Sequence, residues 1–330
     1  MKLLKHYLPG LILVLILALS SALLAGFLPF GAVVIGISLG IVLGNLWGIK
    51  ETWQIGINFA EKQILAWAII FMGVKLDFNI VKDLGLKAVV IIIISIVFTI
   101  SVALILGKLF KFNPRLALLL GIGNGVCGSS AIAATEKIIG ADKNEVGISV
   151  TVVNFLGVIG MFLLPLLIKF VLIFNDLQSG FLIGNTLQAV GQVVAAGFSI
   201  NETVGHTATI VKMMRILMLT PIVLSLLFYF SQRNHKAQVV VKKQGIPYFI
   251  VGFILMSLIP TLHLLSSGMI DVLGRLSHYL LLIAMVAIGL KISFKSIVQQ
   301  GGKALLLGSL VFLVQILFSI LMILLFITGK

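Results

Sequence analysis

The segment NPRLALLLGIGNGVCGSSAIAATEKIIG, residues 113–140, decides how this chain folds. It is apolar and long enough to cross a bilayer, which takes about 20 helical residues. Its middle holds four glycines within eight residues, and each glycine costs a helix interior up to about 1 kcal/mol. The cluster therefore predicts an unwound stretch between two half-helices, with close packing of small residues as the alternative. These glycines are Gly121, Gly123, Gly125 and Gly128.

An unwound stretch at membrane depth exposes backbone groups, which are tolerated only inside protein or against a watery cavity. A half-helix that begins near Ser129 would direct its N–H groups and its positive dipole end into the break. This arrangement, together with the absence of a carboxylate from the break, predicts a binding site for an anion. The predicted substrate-binding residues are Asn124, Gly125, Gly128, Ser129 and Ser130.

A second candidate break lies in SGFLIGNTLQAVGQVVAAGFSI, residues 179–200, where glycines again accompany amides. Gln188 and Gln192 are spaced i,i+4, so within a helix they would share one face. Polar amides at membrane depth need a partner or a cavity. We predict that both contribute to substrate binding, and ordinary hydrogen bonding between helices is the alternative.

Charges inside apolar runs supply the remaining candidates. Lys212 and Arg215 interrupt the run 206–227, and a charge at mid-bilayer costs at least about 2.5–3.5 kcal/mol. They are predicted either to attract an anion or act as a gate, or to reach the membrane interface. Asn154 and Glu136 are weaker charge or gating candidates, because Glu136 is adjacent to Lys137 and could form an interfacial ion pair.

The composition places the whole chain in a lipid bilayer. Of its 330 residues 60% are hydrophobic and 10% are charged, and the mean hydropathy is +1.22. A soluble domain carries about 25% charged residues. We predict an all-α, polytopic membrane protein with about eleven transmembrane helices, ten being the alternative. The apolar runs are 8–27, 30–47, 54–75, 87–108, 114–137, 146–174, 178–199, 206–230, 247–265, 269–290 and 303–328.

The net charge of +14 comes from basic residues between the apolar runs. Their distribution favours a cytoplasmic N-terminus in the cell membrane, although the loop 75–87 argues against it. Nucleic-acid binding is not expected. The first run resembles a signal peptide, but it continues to Leu28 and is predicted to remain as an uncleaved first helix.

The sequence contains little that would support catalysis. The longest hydrophilic connection, 231–246, is too short for a soluble domain, and no nucleotide-binding loop is present. Cys127 is the single cysteine and the five histidines are scattered, so we expect no metal, no catalytic residues and no bound cofactor. A channel or a membrane-embedded enzyme is therefore the less favoured class.

An internal repeat relates GVKLDFNIVKDLGLKA, 73–88, to GLKISFKSIVQQGGKA, 289–304, at an offset of 216 residues. Seven predicted spans separate the matched positions, so the two copies would face opposite ways across the membrane. Inverted repeats are typical of secondary transporters. We predict repeat halves 1–140 and 200–330 around a central segment 141–199, within a single transporter domain 1–330.

The run 123–167, the VVAAG motif at 193–197 and IVKMMRILMLTPIVL at 210–224 resemble the YeiH-type sulfate exporter family. The resemblance covers nearly the whole chain. The family is in turn distantly similar to bile-acid/sodium symporters and cation/proton antiporters. It implies two broken helices that cross at the membrane midplane. Many relatives carry a His-acidic pair just before VVAAG, where this chain has Gln188 and Ala189, which puts proton coupling in question.

The expected function is secondary transport of a small anion, sulfate or sulfonate-like, by alternating access. The alternative is a sodium- or proton-coupled transporter of an organic anion. The expected partners are the anionic substrate and the lipid bilayer, with Na⁺ or H⁺ as coupling ion and a homodimer left open.

Overall fold

A computed structural model describes residues 2–27, 32–75, 78–231, 248–262, 264–292 and 302–327. In these ranges the regular secondary structure is entirely helical. Fourteen described helices follow one another along the chain: α1 (Lys2–Leu24), α2 (Ala32–Leu46), α3 (Glu51–Lys75), α4 (Phe78–Leu109), α5 (Pro114–Gly125), α6 (Ser129–Ile139), α7 (Lys143–Leu172), α8 (Asp176–Thr186), α9 (Val190–Phe198), α10 (Glu202–Leu217), α11 (Leu219–Ser231), α12 (Tyr248–Thr261), α13 (Ser267–Lys291) and α14 (Gly302–Phe326).

The helices match the apolar runs of the sequence. Within the described ranges seven helical stretches are long and apolar enough to cross a bilayer, with α10 and α11 counted as one stretch. The shorter apolar helices α2 and α12 and the two interrupted pairs, α5–α6 and α8–α9, account for the other four predicted runs. The all-α, polytopic membrane fold is therefore confirmed.

Helix ends lie where the sequence carries capping residues. The side chain of Asn113 accepts a hydrogen bond from the backbone N–H of Arg115 at the start of α5. Asp142 and Glu145 form a reciprocal capping box at the start of α7, with N···O distances of 2.9 and 2.8 Å. Such caps satisfy N–H groups that have no partner within the helix. Local sequence thus sets the bounds of these helices.

The chain divides into two compact units. The first contains residues 1–78 and 246–294, and its described helices are α1, α2, α3, α12 and α13. Glycines bring these helices together: a Cβ atom on Gly10 would lie 2.2 Å from the carbonyl oxygen of Trp53, and one on Gly44 would lie 2.2 Å from that of Leu290. Close backbone approach through small residues is typical of helix packing in membranes.

Two contacts in the first unit are related by the predicted offset of 216 residues. A Cβ atom on Gly73 would lie 2.4 Å from the carbonyl oxygen of Phe253, and one on Gly289 would lie 2.3 Å from that of Ile37. The two glycines are 216 residues apart, and so are Ile37 and Phe253, so the repeat converts one contact into the other. These contacts support the repeat, but residues 76–77 and 293–301 of the matched segments lie outside the described residues. The inverted orientation and the halves 1–140 and 200–330 remain predictions, and the compact units have different bounds.

Helix α3 contains one π-helical turn, Ala60–Ile64, which holds Glu61 and Lys62. The carboxylate of Glu61 forms an ion pair with Lys291 of α13. The pair joins two helices of the first unit, so Glu61 is bonded across helices and not to the adjacent Lys62.

The second unit contains residues 79–245 and 295–330, with helices α4 to α11 and α14. Helix α10 packs against α8 and α9, and α14 packs against α5, α7 and α8. The rings of Phe98 on α4 and Phe318 on α14 are stacked, with centroids 4.0 Å apart. Both interrupted helices lie in this unit.

Candidate functional site: the paired helix breaks

The first break separates α5 from α6 at residues 126–128. Helix α6 begins at Ser129, the predicted position. Gly128 has φ +68° and ψ −132°, a conformation that is open mainly to glycine. Gly121 and Gly123 remain helical, and a Cβ atom on either would come within 3 Å of a neighbouring side chain. The glycine cluster therefore supports both interpretations, because Gly128 breaks the helix while Gly121 and Gly123 permit close packing.

The second break separates α8 from α9 at residues 187–189. Leu187 (ψ 145°) and Ala189 (ψ 146°) are extended, so Gln188 lies between the helices. The prediction that Gln188 and Gln192 share one helical face is wrong, because the chain is unwound at the first of them. Gln192 caps α9 instead: its Oε1 accepts from the N–H of Ala189 at 2.9 Å, and its Nε2 donates to the carbonyl oxygen of Asn154 at 3.3 Å.

The two breaks are in contact. Nε2 of Gln188 donates to Oδ1 of Asn124 at 2.9 Å, and both residues are fully buried. A Cβ atom on Gly128 would lie 3.4 Å from Cβ of Gln188, an ordinary van der Waals contact. The structure thus brings together Asn124, Gly128 and Gln188, which the sequence singled out in two separate segments.

Lys212 and Arg215 on α10 hold the C-terminal ends of the first half-helices, α5 and α8. Nζ of Lys212 donates to the carbonyl oxygens of Val126 and Leu187, each at 2.7 Å. The Arg215 guanidinium bridges the same two helix ends, and both side chains are fully buried. Its acceptors are the carbonyl oxygens of Asn124 (3.0 Å) and Gly125 on α5, and of Asn185 and Gly184 (3.5 Å) on α8.

The bonds of these two cations have a plain physical reason. The last carbonyl groups of a helix have no intrahelical partner and carry the negative end of its dipole. Where such an end is buried away from water, a cationic donor satisfies both the hydrogen bonds and the charge. The two side chains are therefore bonded within the protein, and whether they attract an anion or reach the membrane interface remains a prediction.

Gln315 on α14 is a site residue that sequence reasoning missed. Its Nε2 lies 3.2 Å from the carbonyl oxygens of both Asn124 and Asn185. The side chain of Asn185 in turn donates to the hydroxyls of Ser95 (3.1 Å) and Ser319 (2.9 Å). Helices α4 and α14 thus contribute to the same network.

A short repeat in the sequence could have revealed the pairing. The tripeptide Ile-Gly-Asn occurs at 122–124 and again at 183–185, 61 residues later. The paired acceptors of Lys212, Val126 and Leu187, are also 61 apart, and so are the starts of α6 and α9, Ser129 and Val190. The two broken helices are therefore locally equivalent around one set of donors.

The starts of the second half-helices, α6 and α9, differ from the buried ends of α5 and α8. Ser129 and Ser130 at the start of α6 are exposed, and so is Asn154, whose backbone accepts from the first turn of α9. The hydroxyl of Ser130 donates to the carbonyl oxygen of Cys127 at 3.0 Å. The first N–H groups of a helix have no intrahelical acceptor and carry its positive dipole end. This side of the breaks can donate hydrogen bonds to an anion.

Glu136 lies near the C-terminal end of α6, about two turns from Ser129. In the part of the chain that the structure describes it forms no ion pair with Lys137. In the same ranges no group of three His, Cys, Asp or Glu side chains is arranged to hold a metal ion.

The fold and the paired breaks define a class: a polytopic helical membrane protein in which two interrupted helices are joined through buried basic residues. Residues 9–308 match the family described as conserved hypothetical protein 698, and the chain belongs to that family.

Three relatives illustrate how far the similarity extends. The chain is 35% identical to the UPF0324 membrane protein YdhF of Lactococcus lactis, over 96% of this chain and 98% of the relative. It is 34% identical to the UPF0324 membrane protein CPE0129 of Clostridium perfringens, over 98% and 97%. It is 32% identical to the UPF0324 inner membrane protein YeiH of Salmonella typhi, over 93% and 90%. The resemblance to the YeiH family is confirmed.

Gly128→Ala is expected to lower the free energy of unfolding by about 1–3 kcal/mol, because the backbone of an alanine is strained at φ +68°. Gly125→Ala is the matched control, since Gly125 is helical and its added Cβ would meet nothing closer than 3.6 Å. Apparent melting temperatures of the two purified variants in detergent measure the difference. Equal melting temperatures would contradict the strained geometry of the break.

Proposed function

We propose that this protein is a secondary transporter that moves a small anion, sulfate or sulfonate-like, by alternating access. One observation carries the proposal: buried cations satisfy the C-terminal ends of the half-helices α5 and α8, while Ser129 at the start of α6 is exposed. Helix N-termini directed at anionic substrate groups are a feature of transporters with discontinuous helices.

The charge balance favours an anion. Each helix end carries roughly half an elementary charge, so the ends of α5 and α8 together supply about −1. Lys212 and Arg215 add two positive charges, and the starts of α6 and α9 add about +1 in total. The break residues, 126–128 and 187–189, include no carboxylate. An oxyanion at the start of α6 and α9 would meet backbone N–H groups and the hydroxyl of Ser129.

A transporter is favoured over a channel because the two breaks are hydrogen-bonded to each other and to α10. Such a network can move as a body with a bound solute, whereas a selectivity filter needs a line of carbonyls open to the ion path. A membrane-embedded enzyme is the weaker candidate because the sequence has only ten acidic residues and scattered histidines.

The proposal includes a cytoplasmic N-terminus in the cell membrane, a proton or sodium gradient as the driving force, and rocking of the repeats as the motion. A sodium- or proton-coupled transporter of an organic anion is the alternative. The purified protein can be screened by thermal shift against sulfate, sulfite, sulfonates and carboxylates, because a bound ligand stabilises the folded state. Stabilisation by carboxylates alone would favour the alternative, and saturable flux of labelled sulfate into proteoliposomes would support the proposal.

Ser129→Ala is expected to weaken sulfate binding about tenfold or more, because a hydrogen bond to a charged group contributes about 1.5–3 kcal/mol. Asn124→Ala is expected to weaken binding too, through the loss of its bond to Gln188. The control is Ser225→Ala on α11, an exposed serine whose hydroxyl donates to the carbonyl oxygen of Pro221 in its own helix. The sulfate concentration that gives half of the thermal shift is the measurement. An unchanged value for both site variants would mean that the site is misplaced.

A further inference from the structure

Six backbone carbonyl oxygens at the ends of α5 and α8 converge on the two basic side chains of α10. We call this set the carbonyl cage. Its members are Asn124, Gly125, Val126, Gly184, Asn185 and Leu187.

A cage of this chemistry is suited to a metal cation. Hard cations such as sodium prefer oxygen ligands, and transporters with broken helices coordinate Na⁺ with unwound carbonyls and helix C-terminal ends. Here the cage is filled by the protein itself. Nζ of Lys212 lies 2.7 Å from the carbonyl oxygens of Val126 and Leu187, one from each break, and is fully buried.

We propose that the Lys212 ammonium takes the place of a coupling sodium ion in the carbonyl cage, so that the protein carries its anion without sodium. The transport part of this inference rests on the proposed function; the part that concerns cation binding does not. The sequence leaves Na⁺ and H⁺ open as coupling ions. Because a proton does not need a cage of carbonyl oxygens, the structure favours H⁺.

The charges around the cage explain why a sodium ion would not enter beside the lysine. The cage supplies about −1 from the two helix ends, and Lys212 and Arg215 already supply +2. A further cation would be repelled by both, and neither break contains an Asp or Glu to offset it. Sodium would have to displace Nζ from two hydrogen bonds and leave a buried ammonium without partners, which is costly.

The test compares cations on the full-length protein in detergent. The wild-type melting temperature is expected to be the same in NaCl, KCl and choline chloride at equal ionic strength. Lys212→Ala removes the tethered cation and opens space beside Val126 and Leu187. In this variant NaCl or propylammonium chloride is expected to raise the melting temperature by several degrees over choline chloride, whose cation is too large for the cage.

Lys169→Ala on α7 is the control, because Lys169 is exposed and lies in the same unit. It is expected to show no difference among the salts. Specific stabilisation of the wild-type protein by sodium would overturn the inference. So would a Lys212→Ala variant that folds but responds equally to all cations.

If Lys212→Ala yields no folded protein, the wild-type protein decides the question through its sulfate-induced thermal shift and its sulfate flux. Both are expected to be equal in sodium and choline buffers, and a requirement for sodium in either would overturn the inference. Absence of any sulfate shift or flux would instead contradict the proposed function, and the response of the wild-type protein to sodium alone would still test the cage.

Discussion

Arg215→Met should leave little folded protein at the growth temperature. The guanidinium donates to the ends of α5 and α8 from within a fully buried position. Its loss leaves the carbonyl oxygens of Gly125 and Gly184 without this donor, and an unsatisfied buried group costs about 1–3 kcal/mol. The expected loss of about 2–6 kcal/mol is a large part of a typical total stability of about 5–15 kcal/mol.

The yield of monodisperse protein after detergent extraction and its apparent melting temperature measure this effect. Arg275→Met is the control, because Arg275 is exposed on α13. Arg215→Lys should give an intermediate result, since an ammonium group lacks the planar fork that reaches two helix ends at once. If Arg215→Met and Arg275→Met gave the same yield and melting temperature, the bridge between the two breaks would not be a source of stability.

Gly184→Val is expected to have the second largest effect. A Cβ atom at this position would lie 2.5 Å from the carbonyl oxygen of Ala208 and 2.8 Å from Cβ of Val211, both on α10. The main chain cannot give way as a flexible side chain could, so α8 must shift. Overpacking of this kind costs about 1–3 kcal/mol. The shift also moves Asn185 away from Arg215, so the total loss should exceed that of overpacking alone.

Gly147→Val on α7 is the matched control, because a Cβ atom there would meet nothing within 4 Å. The melting temperature of the control should stay the same or rise slightly, because glycine has a lower helix propensity than valine and Gly147 is exposed. A melting temperature of Gly184→Val equal to that of Gly147→Val would show that α8 and α10 are not in close contact at this point.

Much of the fold could be predicted from the sequence because its signals are local. Apolar runs of membrane length gave the helices, and an asparagine followed by proline marked the start of α5. The glycine cluster indicated the first break, and the positive φ of Gly128 explains why α6 begins at Ser129. Each of these features depends on residues that are near each other in the chain.

The partners within the site could not be predicted in the same way, because they depend on contacts between distant segments. Lys212 is 86 residues from its acceptor Val126, and Gln315 is 191 residues from Asn124. Gln315 lies in a run that otherwise reads as an ordinary apolar span. The i,i+4 spacing of Gln188 and Gln192 predicted a shared face and was misleading, since it presumes the very helix that is interrupted there.

The hydrogen bonds from α10 to both breaks also limit which mutations this protein can accept during evolution. One guanidinium donates to the ends of two helices, so a mutation that moves either end also disturbs the hydrogen bonds of the other. The two ends are therefore expected to change together under selection. New specificity should therefore arise at exposed positions such as Ser129 and Asn154, where a side chain can be exchanged without breaking the contact between the two interrupted helices. Laboratory evolution toward another solute would be best started from libraries at these positions.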